Sequence, residues 1–177
     1  MRSSAEYSAM NKRLLVYELG QLSKEQFQAL RKLKVTPQQE IMGKSFVESI
    51  DDWEGTPKED VLGLGFFVEE SPIGLVLFRK QKPAEDGRIS VHGLKIALPW
   101  QRQGLGHLAF QAAMVRLKSE WPDARLLTLA VDAVNLPAIA IYLGYGMTDS
   151  GAVFDGPNGK EHHMEISLCP QTPSTNL

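Results

Sequence analysis

Cysteine is almost absent: Cys169 is the one thiol among 177 residues. No internal disulfide can form, and no zinc site can be assembled from thiolates. No run approaches the roughly 20 apolar residues that span a membrane. The first 20 residues also lack the apolar core of a secretory signal. These absences predict a cytoplasmic chain with no membrane partner. An excess of either charge is missing too: 19 Lys and Arg stand against 21 Asp and Glu, a net of −2. Without a basic stripe, nucleic acid is not an expected partner. The mild acidity is compatible with a small cationic substrate. There is no internal repeat, no low-complexity block and no linker.

What is present is ordinary globular usage, with 43% hydrophobic and 23% charged residues. The length suits a single domain over 1–177, with 1–10 and 170–177 expected to fray. Such a domain buries about two-thirds of its unfolded surface. Apolar patterning predicts a strand over Leu14–Leu19 and a helix from a Ser23 cap to about Leu33. A second helix is expected from Thr36 to Trp53, with Pro37 in its first turn. Strands follow at Val61–Glu69, Ile73–Lys80 and Ile89–Leu98, the first two joined by a tight turn as an antiparallel hairpin. Then come a helix over Gly104–Trp121, a doubly buried strand at Leu126–Val131 and a short helix over Leu136–Leu143. Strands at Met147–Phe154 and His162–Leu168 close the chain. A three-strand meander followed by one βαβ crossover implies a mixed α/β sheet, not a doubly wound parallel one.

The most informative stretch is Leu98-Pro-Trp-Gln-Arg-Gln-Gly-Leu-Gly-His-Leu-Ala109. A strand ends, a short glycine-bearing loop follows, and a helix begins. Gly104 and Gly106 lack Cβ atoms, so phosphates can approach the backbone. The free amides of the helix's first turn, helped by the helix dipole, bind anionic oxygens. Arg102 adds a cation within reach of a phosphate. A glycine-rich helix start with no ligand is the plainer alternative. The loop also fits the dinucleotide pattern GxGxxA through Gly104, Gly106 and Ala109. Against that stand the polar Ser90, His92 and Lys95 in the preceding strand, the meander before it, and a chain short for two domains.

Gln101-Arg102-Gln103-Gly104-Leu105-Gly106 resembles motif A of the GNAT N-acetyltransferase superfamily, Gln/Arg-x-x-Gly-x-Gly/Ala. Asn135-Leu-Pro-Ala138-Ile-Ala-Ile-Tyr142-Leu-Gly-Tyr-Gly146-Met147 is similar to its motif B, with Met147 in place of a phenylalanine. Each motif alone is weak, but together, in order and on the expected elements, they are specific. The resemblance covers Val61 to Leu168. It implies the GNAT fold: a mostly antiparallel mixed sheet of about seven strands, splayed in the middle and flanked by about four helices. Acetyl-CoA would lie in the gap between the strand ending near Leu98 and Leu126–Val131. Its pyrophosphate would rest on the amides of Gln101, Arg102, Gln103, Gly104, Leu105, Gly106 and His107. Its pantetheine arm would meet the main chain around Leu94, Lys95 and Ile96. The implied reaction is acetyl transfer from acetyl-CoA to a primary amine, by direct attack in a ternary complex and without a metal. A protein or peptide acceptor, or a non-catalytic acyl-CoA sensor, remains the alternative.

Tyr142 occupies the position that resembles the family's general acid; the plainer reading is a half-buried core tyrosine. Asn135 either contacts the cofactor arm or caps the helix that starts at Leu136, and both roles are compatible. Many relatives carry a glutamate on the strand before motif A, and this strand has no carboxylate. His92 takes a place similar to that of a catalytic histidine in the arylalkylamine branch. Strand alternation sets it on the side of Ser90, Leu94 and Ile96. Imidazole titrates near neutrality, but an idle histidine with a water relay fits equally. His162 and His163 face opposite ways and read as edge residues rather than a metal site. The acidic group Glu48, Asp51, Asp52 and Glu54 either binds a cationic acceptor or is a solvated face. The stretch Gln39–Ile50 is loosely similar to the polyamine acetyltransferase branch. A homodimer is compatible with all of this.

Overall fold

A computed structural model describes residues 13–169; the two segments expected to fray lie outside that range. In chain order the elements are β1 (Leu14–Glu18), α1 (Lys24–Arg31), α2 (Pro37–Gly43), α3 (Phe46–Glu54), β2 (Val61–Val68), β3 (Ser71–Lys80) and β4 (Arg88–Ile96). They continue with α4 (Leu105–Glu120), β5 (Leu126–Asp132), α5 (Leu136–Tyr145), β6 (Thr148–Gly156) and β7 (Gly159–Ser167). All seven strands join one sheet in the order β1-β2-β3-β4-β5-β7-β6. Every pairing is antiparallel except β4 with β5.

The β4–β5 pairing positions the site. It has only three rungs, Arg88↔Leu126, Ile89↔Leu127 and Ser90↔Thr128. Beyond Ser90 the strands part, and the β5-facing edge of β4 is left without its ladder. The splay expected from the family resemblance is therefore present, and it opens toward the start of α4.

Two cores form, one on each face of the sheet. Val76, Phe78, Val91 and Leu129 pack under α4 and α5 with Phe110, Met114 and Tyr142. Leu75 and Leu77 pack on the other face with Leu30, Phe46 and Ile50 of α1 and α3. The strict alternation along β3 sends its side chains to the two cores in turn. Each of these buried side chains is worth about 1.5–3 kcal/mol of burial.

Three sequence expectations are corrected. The helix expected over Thr36–Trp53 is two helices: Lys44 takes a left-handed φ of 63° after α2, and Ser45 starts α3 with a capping box to Glu48. β4 does not alternate throughout. Leu77 pairs with His92 and Leu75 with Lys95, so two β4 residues, Gly93 and Leu94, oppose Val76 alone. Gly93, at φ 65°, accommodates this bulge. Ser90, His92 and Lys95 consequently share the α1–α3 face, while Leu94 and Ile96 pack on the α4 side. His92 is therefore not on the side of Leu94 and Ile96. Finally, β7 lies between β5 and β6, so His162 and His163 are on an interior strand, not an edge. They do face opposite ways: His163 stacks on Phe154, with ring centroids 4.2 Å apart, and His162 approaches Asp149 at 2.7 Å.

Candidate active site

The open end of the splay meets the turn after β4. Gln101 is extended, Arg102 has φ 59° and Gly104 has φ 75°, so the chain coils tightly before α4 begins. Gly104 is the N-cap of α4 and has no side chain to bond the first-turn amides. The other four α-helices are capped, by Ser23, Thr36, Ser45 and Asn135. The amides of Leu105, Gly106 and His107 thus form an open donor set at the positive end of a 16-residue helix. A Cβ at Gly104 would meet no protein atom within 4 Å. The space above the loop is therefore free for phosphate oxygens, and the loop fits an anion of that kind. Arg102 and Gln103 are exposed beside it.

The other residues expected at the cofactor divide by role. Gly106 packs closely on α5: a Cβ there would come within 2.7 Å of Ile141 Cδ1, which would have to turn aside. His107 lies against Gly144 of α5. The Gln101 side chain faces inward: its Nε2 donates to Ile96 O at 2.8 Å and to Gln39 Oε1 at 3.0 Å, tying the loop to α2. Asn135 caps α5 through Oδ1, which accepts from Ala138 N at 3.4 Å. Leu94 and Ile96 lie along the unladdered stretch of β4 on the α4 side.

Lys95 points away from the gap. Its buried ammonium donates to Gly43 O (2.9 Å), Lys44 O (2.8 Å), Ser45 O (3.1 Å) and Ser49 Oγ (2.6 Å). Three protons serve four acceptors, so one is shared. These carbonyls are the orphan ends of α2 and the turn into α3, and Lys95 fixes that break against β4. Burial pushes its pKa down to about 8; Lys44 adds to the fall, and Glu48, Glu40 and Asp52 oppose it. Its side chain is thus a structural clamp, and only its backbone lies along the expected cofactor path.

Tyr142 of α5 is 6% exposed and meets Phe110 edge to face at 5.2 Å. Burial raises its pKa well above that of an ordinary phenol, so the hydroxyl stays protonated. His92 sits two residues past the last β4–β5 rung, on the opposite face of β4 from the Tyr142 core. Its Nε2 lies 2.8 Å from Ser90 Oγ. The ring is open to solvent at one side, yet the protein crowding it elsewhere lowers its pKa, and Arg79 and Lys44 lower it further against Asp52. The imidazole is therefore neutral at pH 7 and able to accept a proton.

The acidic residues of α3 are already engaged within the fold. Asp51 and Glu54 pair with Arg31, at 2.7 and 3.3 Å. Asp52 pairs with Lys44 and lies 3.8 Å from Arg79. Glu48 completes the Ser45 capping box. They form a paired, solvated face rather than a cation site. A groove lined by Lys80, Gly87, Ile89, Trp121 and Arg125 lies at the closed end of the splay, away from the loop. Sequence reasoning set Ser90 on the side of His92 but gave it no role, and it missed Arg79, which stands opposite Ser90 on β3.

The sequence model of the acetyltransferase (GNAT) family matches residues 25–146, well over half of the chain. Solved structures share the fold. An N-acetyltransferase from Staphylococcus aureus Mu50 aligns with a TM-score of 0.64 and 16% identity, over 89% of this chain and 99% of that one. The ribosomal-protein-S18-alanine N-acetyltransferase from Escherichia coli aligns at 0.63 and 14%, over 93% and 100%. A Bacillus subtilis acetyltransferase in complex with CoA aligns at 0.61 and 10%, over 89% and 100%. At such identities the likeness is one of fold. No curated protein sequence matches the chain. Among the described residues no helix is long and apolar enough to cross a membrane, and no cluster of metal-ligating side chains occurs.

Proposed function

The chain belongs to the acetyltransferase (GNAT) family, and from that premise we propose that it transfers the acetyl group of acetyl-CoA to a small primary amine by direct attack in a ternary complex. The observation that carries this is the pairing of an uncapped, sterically open α4 start with a β4–β5 gap that begins at Ser90 and Thr128. The first is a ready anion site for the pyrophosphate. The second lets an extended thiol arm lie beside the unladdered edge of β4, as an added strand would.

The two titratable groups then address one thioester from opposite faces. An alkylamine is mostly protonated at pH 7, its pKa being near ~10.4. His92, held neutral, takes the proton that the attacking nitrogen must lose. The nitrogen bonds to the acyl carbon, the carbon–sulfur bond breaks, and Tyr142 donates its proton to the leaving sulfur. After the bond forms the nitrogen gives its second surplus proton to solvent; solvent also returns a proton to Tyr142 and removes one from His92, so the balance closes on N-acetylamine, free thiol and one proton released overall. Tyr142→Phe keeps the ring against Phe110 and removes only the donor. The chemical step should slow by roughly 10²–10⁴, with acetyl-CoA binding and melting temperature retained. Full turnover in this variant would return Tyr142 to a packing role. His92→Gln should abolish the fall in kcat/KM that the wild type shows as pH drops through the lowered His92 pKa. A protein or peptide acceptor is the second reading, and a panel of amines and peptides assayed for CoA release separates the two.

A further inference from the structure

Asp132, the last residue of β5, is a buried carboxylate with one oxygen, Oδ1, enclosed and unpartnered among the described residues. It is only 7% exposed, and its enclosed Oδ1 receives no hydrogen bond. Burying a charge without a partner is costly, so a group of this kind calls for a physical reason. Alternation fixes where it faces. Leu127, Leu129 and Val131 belong to the α4-side core, so Thr128, Ala130 and Asp132 line the other face, the face of Ser90 and His92.

On that face Asp132 stands directly opposite Glu161 of β7. Like charges in that position repel, and the fold keeps both. Glu161 leans over Gly156, where any side chain would collide with its carboxyl group. Phe154, half exposed, stacks with His163 on the same face. Asn158, in the turn between β6 and β7, donates to Ile41 O of α2 at 2.9 Å. The hairpin thus reaches across to the wall that Lys95 clamps, on the face of the sheet that carries both carboxylates. No third metal-ligating group converges there among the described residues. Two carboxylates beside an aromatic pair suit an organic ammonium.

We propose that Asp132, assisted by Glu161, is a recognition site for a second cationic group on the acceptor amine. The inference rests on the acetyltransferase reading and narrows its substrate class to diamines and their relatives. Asp132 is four residues beyond Thr128 and His92 two beyond Ser90. At ~3.3 Å per residue, Asp132 lies roughly 7 Å farther along the splay than the proposed base. The strands also stand at least ~4.8 Å apart and part beyond Ser90, so that offset is a lower bound and suits an acceptor whose two nitrogens are separated by four methylenes or more. Lys44 and Arg79, the cations nearest His92, are held by Asp52.

The test is calorimetry on the CoA-loaded full-length protein, in which no acetyl group can transfer. The probes are 1,4-diaminobutane, n-butylamine and 4-aminobutanoate. The diammonium probe should bind at least 10-fold more tightly than the monocation. Asp132→Asn should erase that margin, a loss of roughly 10- to 100-fold for a charged hydrogen bond, and Glu161→Gln should reduce it by less. The melting temperature of Asp132→Asn should stay level or rise, because an unpartnered buried charge is removed. If the Asp132 variant does not fold, the Glu161 variant carries the test. Equal binding of the two amines, a margin that survives both substitutions, or tighter binding of 4-aminobutanoate would overturn the proposal. Failure of CoA itself to bind would instead overturn the acetyltransferase reading.

Discussion

Two turns with left-handed residues interrupt this chain beside the same strand, and they are finished in opposite ways. At Lys44 the break between α2 and α3 is sealed. Ser45 and Glu48 bond each other's backbone, and Lys95 gathers the carbonyls of Gly43, Lys44 and Ser45. At Arg102 and Gly104 the break between β4 and α4 is left open, with first-turn amides that no side chain caps. A helix start that the protein completes for itself is structure. One left incomplete next to empty space is a place for an anionic ligand. On the proposed reading, the contrast divides the site into an open cofactor half and a sealed acceptor wall.

The largest expected effect breaks the open half. Gly104→Val adds a Cβ that would meet no protein atom within 4 Å, so its main structural cost is the strain of a positive φ, about 1–2 kcal/mol. Its cost to acetyl-CoA should be far greater, a loss of 100-fold or more in affinity, because the added carbons fill the space the phosphates need. Calorimetry on the folded variant measures this, and unchanged affinity would remove the loop from the site. Gly106→Ala should behave in reverse: Ile141 Cδ1 turns aside, so stability should change by no more than about 1 kcal/mol and acetyl-CoA affinity should hold.

Next in size is the sealed half. Lys95→Met leaves three backbone carbonyls and Ser49 without their charged donor and should cost about 2–4 kcal/mol by chemical denaturation. Acetyl-CoA affinity should change little, and the KM for the amine should rise as the acceptor wall loosens. The pH dependence has a definite sign. The folded Lys95 titrates near 8 and the unfolded lysine near ~10.4. Between those values the unfolded chain holds more protons, so the wild type gains stability relative to the variant as pH rises through that window. An opposite slope would contradict the burial assigned to Lys95.

The open half was legible in the sequence because it is local. A strand end, two glycines and a helix start lie within twelve residues, and the family motifs fall on them. The order of strands through β5 was readable for the same reason, since meanders and one crossover leave few arrangements. The acceptor half was not, because its geometry is set by two single-residue events. Gly93 inserts a bulge that changes the facing of everything after His92, and an internal strand glycine was the available hint. Lys44 splits a helix that reads as continuous, although Ser45-x-x-Glu48 spells a second capping box. The placement of β7 between β5 and β6 brings Glu161 beside Asp132 across 29 residues, and no local pattern encodes such a contact.

The smallest effect sharpens the comparison most. Ser45→Ala removes one half of the capping box, so Glu48 N loses the oxygen it donates to at 3.1 Å. The amide is near the surface and water can replace part of that bond, so the cost should be about 1 kcal/mol. That corresponds to a melting shift of roughly 2–4 °C for a chain of this length. Lys95 still holds the carbonyls, so the break should stay closed and acetyl-CoA affinity should not move. Lys95 and Ser45 serve the same turn, so their effects should not add: the double variant should differ from the sum of the singles by more than about 0.5 kcal/mol. A double-mutant cycle followed by urea denaturation measures this coupling. Strict additivity would mean that the cap and the clamp act on separate structures. A loss of acetyl-CoA affinity in Ser45→Ala comparable to that of Gly104→Val would mean that the two turns are one coupled element rather than an open half and a sealed one.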